Sequence, residues 1–234
     1  TFDTHTSKPA VDLASFLADR EWTGNFDAYP LNIQCNQASA TTIIRFGGDV
    51  FRLRSNSGAG THKDILWDPV KASAILDLQE VIAPKIRGRR GNVFVADSVT
   101  PTSLYFGGEC KAYLKGTTHL ATLIDLSGAA MCDTEKGFTT AKIAGTARLR
   151  VNGVACAAGA VELYGGTLEL KRASSLGSLT AKSGVIDASQ LAADVAASGG
   201  TIGGDVTIIM PTGGAEFDYS ACTLENGGPK LIRN

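Results

Sequence analysis

A chain of 234 residues with 44% hydrophobic content has enough apolar material for one large or two modest domains, so it needs neither a metal nor disulfides to fold. Its 22 basic and 23 acidic residues nearly cancel, which argues against nucleic acid or an anionic membrane as the main partner. No stretch reaches the roughly 18 apolar residues that span a bilayer, and no basic start followed by an apolar run marks a signal peptide, so a soluble chain made in the cytoplasm is expected.

Residues 1–90 read as a small mixed α/β attachment region. Ser7 and Pro9 ahead of Val11, Leu13, Phe16 and Leu17 predict a short capped helix that ends before Thr23-Gly24. TTIIRF and VFRLR flank Gly47-Gly48-Asp49, which predicts a hairpin, because two β-rich runs meet at residues that tolerate positive φ. Between Pro69 and Pro84, Ile75, Leu78 and Ile82 fit a helix while Ala74, Leu76 and Leu78 fit a strand; the ILDLQ phrase favours the strand. The region closes on KIRGRRG, whose Lys85, Arg87, Arg89 and Arg90 are the interface candidates, since arginine forks suit carboxylates and phosphates. No aromatic residue interrupts the run for base stacking, so nucleic acid ranks behind a solvated junction and a protein contact.

Residues 91–234 read as almost all β. Short runs such as NVFVA, SLYF, KAYLKG, ARLRVNG and TLELKR follow one another too closely for crossover helices. One strand phrase recurs, as LIDLS at 123–127, VIDAS at 185–189 and EFDYS at 216–220. Alternation directs Ile124, Leu126, Ile186, Ala188, Phe217 and Tyr219 to one face and Asp125, Asp187 and Asp218 to the other. Gly145, Gly166, Gly184, Gly200 and Gly214 each feed a strand at intervals that drift downward, which predicts an irregular right-handed β-helix or solenoid, with a β-sandwich as the alternative.

Five scattered cysteines, Cys35, Cys110, Cys132, Cys156 and Cys222, show no CxxC or Cys/His clustering and read as reduced, buried thiols. His5, His62 and His119 share no short motif with another ligand type, and no metal or other cofactor is assigned. GGTIGG at 199–204 lacks the following helix and the GK[ST] of a phosphate loop. Sugar hydrolysis needs two carboxylates facing one groove, which makes Asp187 and Asp218, 31 residues apart, the alternative catalytic pair; the competing reading is a solvated strand face. Tyr113 and Tyr164 fall on the outward side of their strands and are candidates for an interface.

A mixed N-terminal region followed by glycine-punctuated strands of the form GVIDAS and GGTLEL resembles bacteriophage virion proteins whose short β-helical domains decorate capsids or build spikes and fibres. The resemblance covers roughly residues 91–226. It implies a non-enzymatic structural role in the virion, assembled in the host cytoplasm, with other virion proteins as partners and homo-oligomeric, often trimeric, assembly. It carries over no site residues. Two alternatives belong to other classes: a polysaccharide-cleaving β-helix enzyme, and a carbohydrate-binding or adhesin module whose ligand would be a host glycan.

Overall fold

The computed structural model describes residues 41–44, 50–54, 64–69, 71–79, 82–118, 120–153 and 156–233. The predicted N-terminal helix and the three histidines lie outside these residues. In chain order the first strands are β1 (Thr41–Ile44), β2 (Val50–Arg54), β3 (Asp64–Trp67), β4 (Ile75–Gln79), β5 (Ile82–Gly88) and β6 (Asn92–Val95). There follow β7 (Thr100–Phe106), β8 (Lys111–Leu114), β9 (Ala121–Leu126) and β10 (Met131–Thr134). Four long bent strands come next, β11 (Phe138–Val151), β12 (Cys156–Leu170), β13 (Ala173–Asp187) and β14 (Val195–Ile209), then β15 (Phe217–Asp218), β16 (Thr223–Leu224) and β17 (Lys230–Ile232).

Every pairing among the described strands is parallel and joins equivalent strands of successive coils, which is the defining geometry of a β-solenoid and rules out the sandwich. Ladder 1 runs β1–β3–β5–β7–β9 and on through the leading parts of β11 to β14 to β16. Ladder 2 runs β2–β4–β6–β8–β10 and on through the trailing parts of β11 to β14 to β17. A third ladder opens only in the later coils, where Cys156 pairs with Ala173 and Val195 with Phe217.

One local expectation changes. The glycine-linked runs at 41–44 and 50–54 form no hairpin: β1 pairs with β3 and β2 with β4, as successive strands of one coil on different ladders. Gly47-Gly48-Asp49 themselves lie outside the described residues. The column Ile65–Ile86–Leu104 joins strands on both sides of residue 90. ILDLQ is the strand β4, as its resemblance to LIDLS suggests.

The alternation that builds each strand also builds the core. Ile65, Ile86, Leu104, Ile124, Ala141, Val161 and Leu179 stack as register partners on ladder 1, all buried. Each aliphatic side chain so placed contributes about 1.5–3 kcal/mol of burial. In the next column Trp67 and Phe106 sit on either side of Gly88, where an added Cβ would meet Cys110 Sγ at 2.5 Å and Phe106 Cδ1 at 3.1 Å. Glycine there makes room for two large aromatic rings in adjacent coils. The repeated phrase behaves as read: Ile124, Leu126, Ile186, Ala188 and Phe217 are buried, and Tyr219 packs against the core.

Coil length does not shrink along the chain. Register steps run from 17 residues (Ala121 to Phe138) to 25 (Val50 to Ile75), and the last is 23 (Thr207 to Lys230). The glycines mislead because they occupy different corners: Gly145 stacks on Gly165, whereas Gly184 partners Val206 and Gly200 partners Leu179.

One corner is held by a polar clamp across three coils. Lys136, fully buried, donates from Nζ to the Asp97 carbonyl at 3.1 Å and to Asp97 Oδ1 at 3.4 Å. Thr118 donates its N–H (2.9 Å) and its hydroxyl (2.5 Å) to the same carboxylate. Beside it, Lys115 pairs with Glu135 at 2.6 Å, and Glu135 also accepts the Gly116 N–H. The Thr118 bonds, seconded by the Lys136 charge, hold the Asp97 carboxyl below its usual range, while burial pulls Lys136 down.

Candidate binding face

The outer face of ladder 2 carries the most organised group of charged side chains. In β8, β10, β11 and β12, Ala112, Cys132, Leu149 and Leu168 point inward, so their neighbours on either side point out. Stacking then sets Lys111, Met131, Arg148 and Thr167 in one outward row and Tyr113, Asp133, Arg150 and Glu169 in the next. Successive coils place these residues about 4.8 Å apart.

Glu169 organises the group. It is only 5% exposed, and it accepts hydrogen bonds from Arg148 Nη2 and, at 2.9 Å, from Arg150 Nε. Arg150 also reaches Asp133 Oδ2 at 3.5 Å. The Glu169 bond, with both nearby carboxylates, holds the Arg150 guanidinium above its ordinary range. Two charge-assisted bonds on one buried carboxylate fix both guanidiniums, so the side chains of this face are already ordered. Among the described residues, Arg148 Nε is buried without a hydrogen-bond partner and Lys111 enters no ion pair.

Between these side chains lies an open cleft of about 130 Å³, lined by Lys111, Tyr113, Met131, Asp133, Arg148 and Arg150. Tyr113 is 41% and Met131 40% exposed, which gives the cleft an apolar margin beside its cations. Tyr164, the other outward tyrosine of the sequence reading, is also exposed, on β12.

The residues singled out from sequence lie elsewhere. Lys85, Arg87, Arg89 and Arg90 are all exposed, on β5 and the corner after it. The Arg87 guanidinium sits 5.5 Å from the ring centre of Tyr105, its register partner one coil on, so it serves an internal cation–π contact. The Arg89 backbone bonds to the coils on both sides, donating to Trp67 O and accepting from Glu109 N. Asp187 and Asp218 do not share a ladder: Asp187 partners Ile209 on ladder 2, and Asp218 partners Ala196 on ladder 3. Each caps its own turn. Asp187 Oδ1 accepts from the Ser189 N–H (3.0 Å) and hydroxyl (2.6 Å), and Asp218 Oδ1 accepts from the Ser220 N–H at 2.8 Å. Those Ser220 bonds lower the Asp218 carboxyl.

The sequence held a usable signal for the missed residues. Aligning GTARLRV with GTLELKR on Gly145 and Gly166 sets Arg148 beside Glu169. The structure shifts register between Gly145 and Arg148, making Arg150 the backbone partner of Glu169 and leaving both arginines in reach of it. Comparison of the chain with family models, with curated proteins and with solved structures finds no match.

Proposed function

We propose that this chain is a non-enzymatic virion component, of the capsid-decoration, spike or fibre kind, that binds neighbouring subunits through the outer face of its solenoid. The observation that carries the reading is the Glu169-pinned pair of Arg148 and Arg150 beside the exposed Tyr113 and Met131. Arginine and tyrosine on a preordered, partly apolar surface are what protein contacts favour. A second surface supports it: Leu224 and Leu231 continue the buried columns of Ile202 and Ile208, yet are 51% and 42% exposed. That coil presents core-type side chains to a neighbour among the described residues. The buried thiols Cys110, Cys132, Cys156 and Cys222 suit assembly in a reducing cytoplasm.

The rival reading, a polysaccharide-cleaving enzyme, asks Asp187 and Asp218 to act as a pair, while their oxygens serve separate turns on separate ladders. The deciding experiment is sedimentation of the full chain with capsid or tail assemblies, run beside a reducing-sugar assay. Co-sedimentation weakened by the Tyr113→Ser/Met131→Ser double variant is expected; turnover abolished by Asp187→Asn would overturn the proposal.

A further inference from the structure

The charges of the ladder 2 cleft do not balance. Three cations, Lys111, Arg148 and Arg150, line it beside a single carboxylate, Asp133; Glu169 lies buried behind the two arginines, and Asp187, the register partner of Glu169 one coil on, has Oδ1 bonded to Ser189. Glu169 is buried and committed to both arginines, Asp133 to Arg150, and Lys111 has no counter-ion among the described residues. At about 30 Å³ per water the cleft holds about four water volumes, room for a carboxylate head on a short stem. Met131 and Tyr113 supply adaptable apolar contact for that stem and for adjoining backbone. Carboxylates are also the groups that lysine and arginine recognise most directly when the cations are held in place.

We infer that the cleft docks an acidic peptide segment of a neighbouring protein, one Asp or Glu side chain entering between Lys111 on one side and Arg148 and Arg150 on the other. This rests on the assembly reading and gives the partner its chemistry. A carboxylate brought there gains Lys111 as its ion-pair partner, so binding is electrostatic in its selectivity and sensitive to salt.

The test is calorimetric titration of the full chain with a hexaglutamate peptide and with a hexaglutamine control. Saturable binding of hexaglutamate alone is expected, weakened by rising salt and weakened about tenfold by Lys111→Glu. Lys111 is exposed and unpaired, so this variant leaves the Glu169 cluster intact and the fold undisturbed. Equal binding of both peptides, no saturable binding, or indifference to Lys111→Glu overturns the inference. The same peptide is then used as competitor in sedimentation with assemblies. Particle binding that hexaglutamate does not displace removes the acidic-segment claim and leaves the assembly reading standing. Peptide binding without any particle affinity does the reverse.

Discussion

Replacing Lys136 separates the part its charge plays from the part its volume plays. Its side chain is fully buried and its ammonium reaches only the Asp97 carbonyl and carboxylate, at 3.1 and 3.4 Å. Truncation by Lys136→Ala removes a buried four-carbon stem, a change comparable to Met→Ala in a core, and is expected to cost about 3 kcal/mol. For a domain of this size that is a fall in Tm of about 9 °C. Lys136→Met keeps the volume and removes the desolvation of the charge, so its stability should stay within about 1 kcal/mol of wild type. Asp97→Ala, which strands the ammonium, should destabilise wild type more than it destabilises the Lys136→Met variant. Burial lowers the Lys136 pKa in the fold, and the unfolded chain therefore binds the proton more tightly. Stability should accordingly rise as pH climbs from the lowered folded value towards the unfolded value of about 10.4, and the rise should vanish in Lys136→Met. Urea unfolding followed by far-UV circular dichroism measures all of these. A Met variant as damaged as the Ala variant would refute the reasoning, because the ammonium's bonds would then outweigh the packing.

Gly200 has φ +118°, and a Cβ there would strike the Leu179 carbonyl of the preceding coil, so Gly200→Ala should lose at least about 2 kcal/mol in urea. Gly213→Ala, with nothing within 4 Å, should stay within about 0.5 kcal/mol and serves as the control. Asp187→Ala should cost about 1 kcal/mol through loss of the Ser189 turn, and Asp187→Asn far less, read by the same unfolding curves. Burial pushes the Cys110 and Cys156 thiols up to about 12, so in a Cys35→Ser background a thiol reagent at pH 8 should react only as urea unfolds the chain. Asp97, Glu135 and Asp218 are all held below their ordinary values by hydrogen bonds, so their contribution is complete above the unfolded carboxylate range and should fade as acid titrates the folded forms. A pH series of melting temperatures checks this.

Period-2 alternation made the inner and outer faces legible from sequence, because it depends only on local backbone geometry: Ile124 and Leu126 are inside and Asp125 is not. Stacking was legible in kind, from glycines feeding strands, but its register was not. Register is set by which corner each glycine turns, and Gly145 and Gly200 turn different ones. The expected hairpin around Gly47-Gly48-Asp49 has the same origin, since turn composition does not say whether the flanking runs pair with each other or, as β1 and β2 do, with later coils. The outer-face cluster stayed hidden for that reason. Arg150 and Glu169 meet only once the register is known, whereas Lys85, Arg87, Arg89 and Arg90 are adjacent in sequence and drew attention without converging on a site. Lys136 was invisible too: a lone lysine after Thr134-Glu135 gives no sign that its ammonium is enclosed two coils from Asp97.

The measurement that bears most directly on the proposed role is the mass of the full chain by multi-angle light scattering, alone and after addition of isolated capsid or tail assemblies. The account predicts a defined oligomer, or a chain whose free signal disappears as it joins the particles, with Leu231→Lys shifting the self-association and Lys111→Glu shifting the particle binding. A stable monomer that leaves the particles' mass unchanged at every ratio would contradict it.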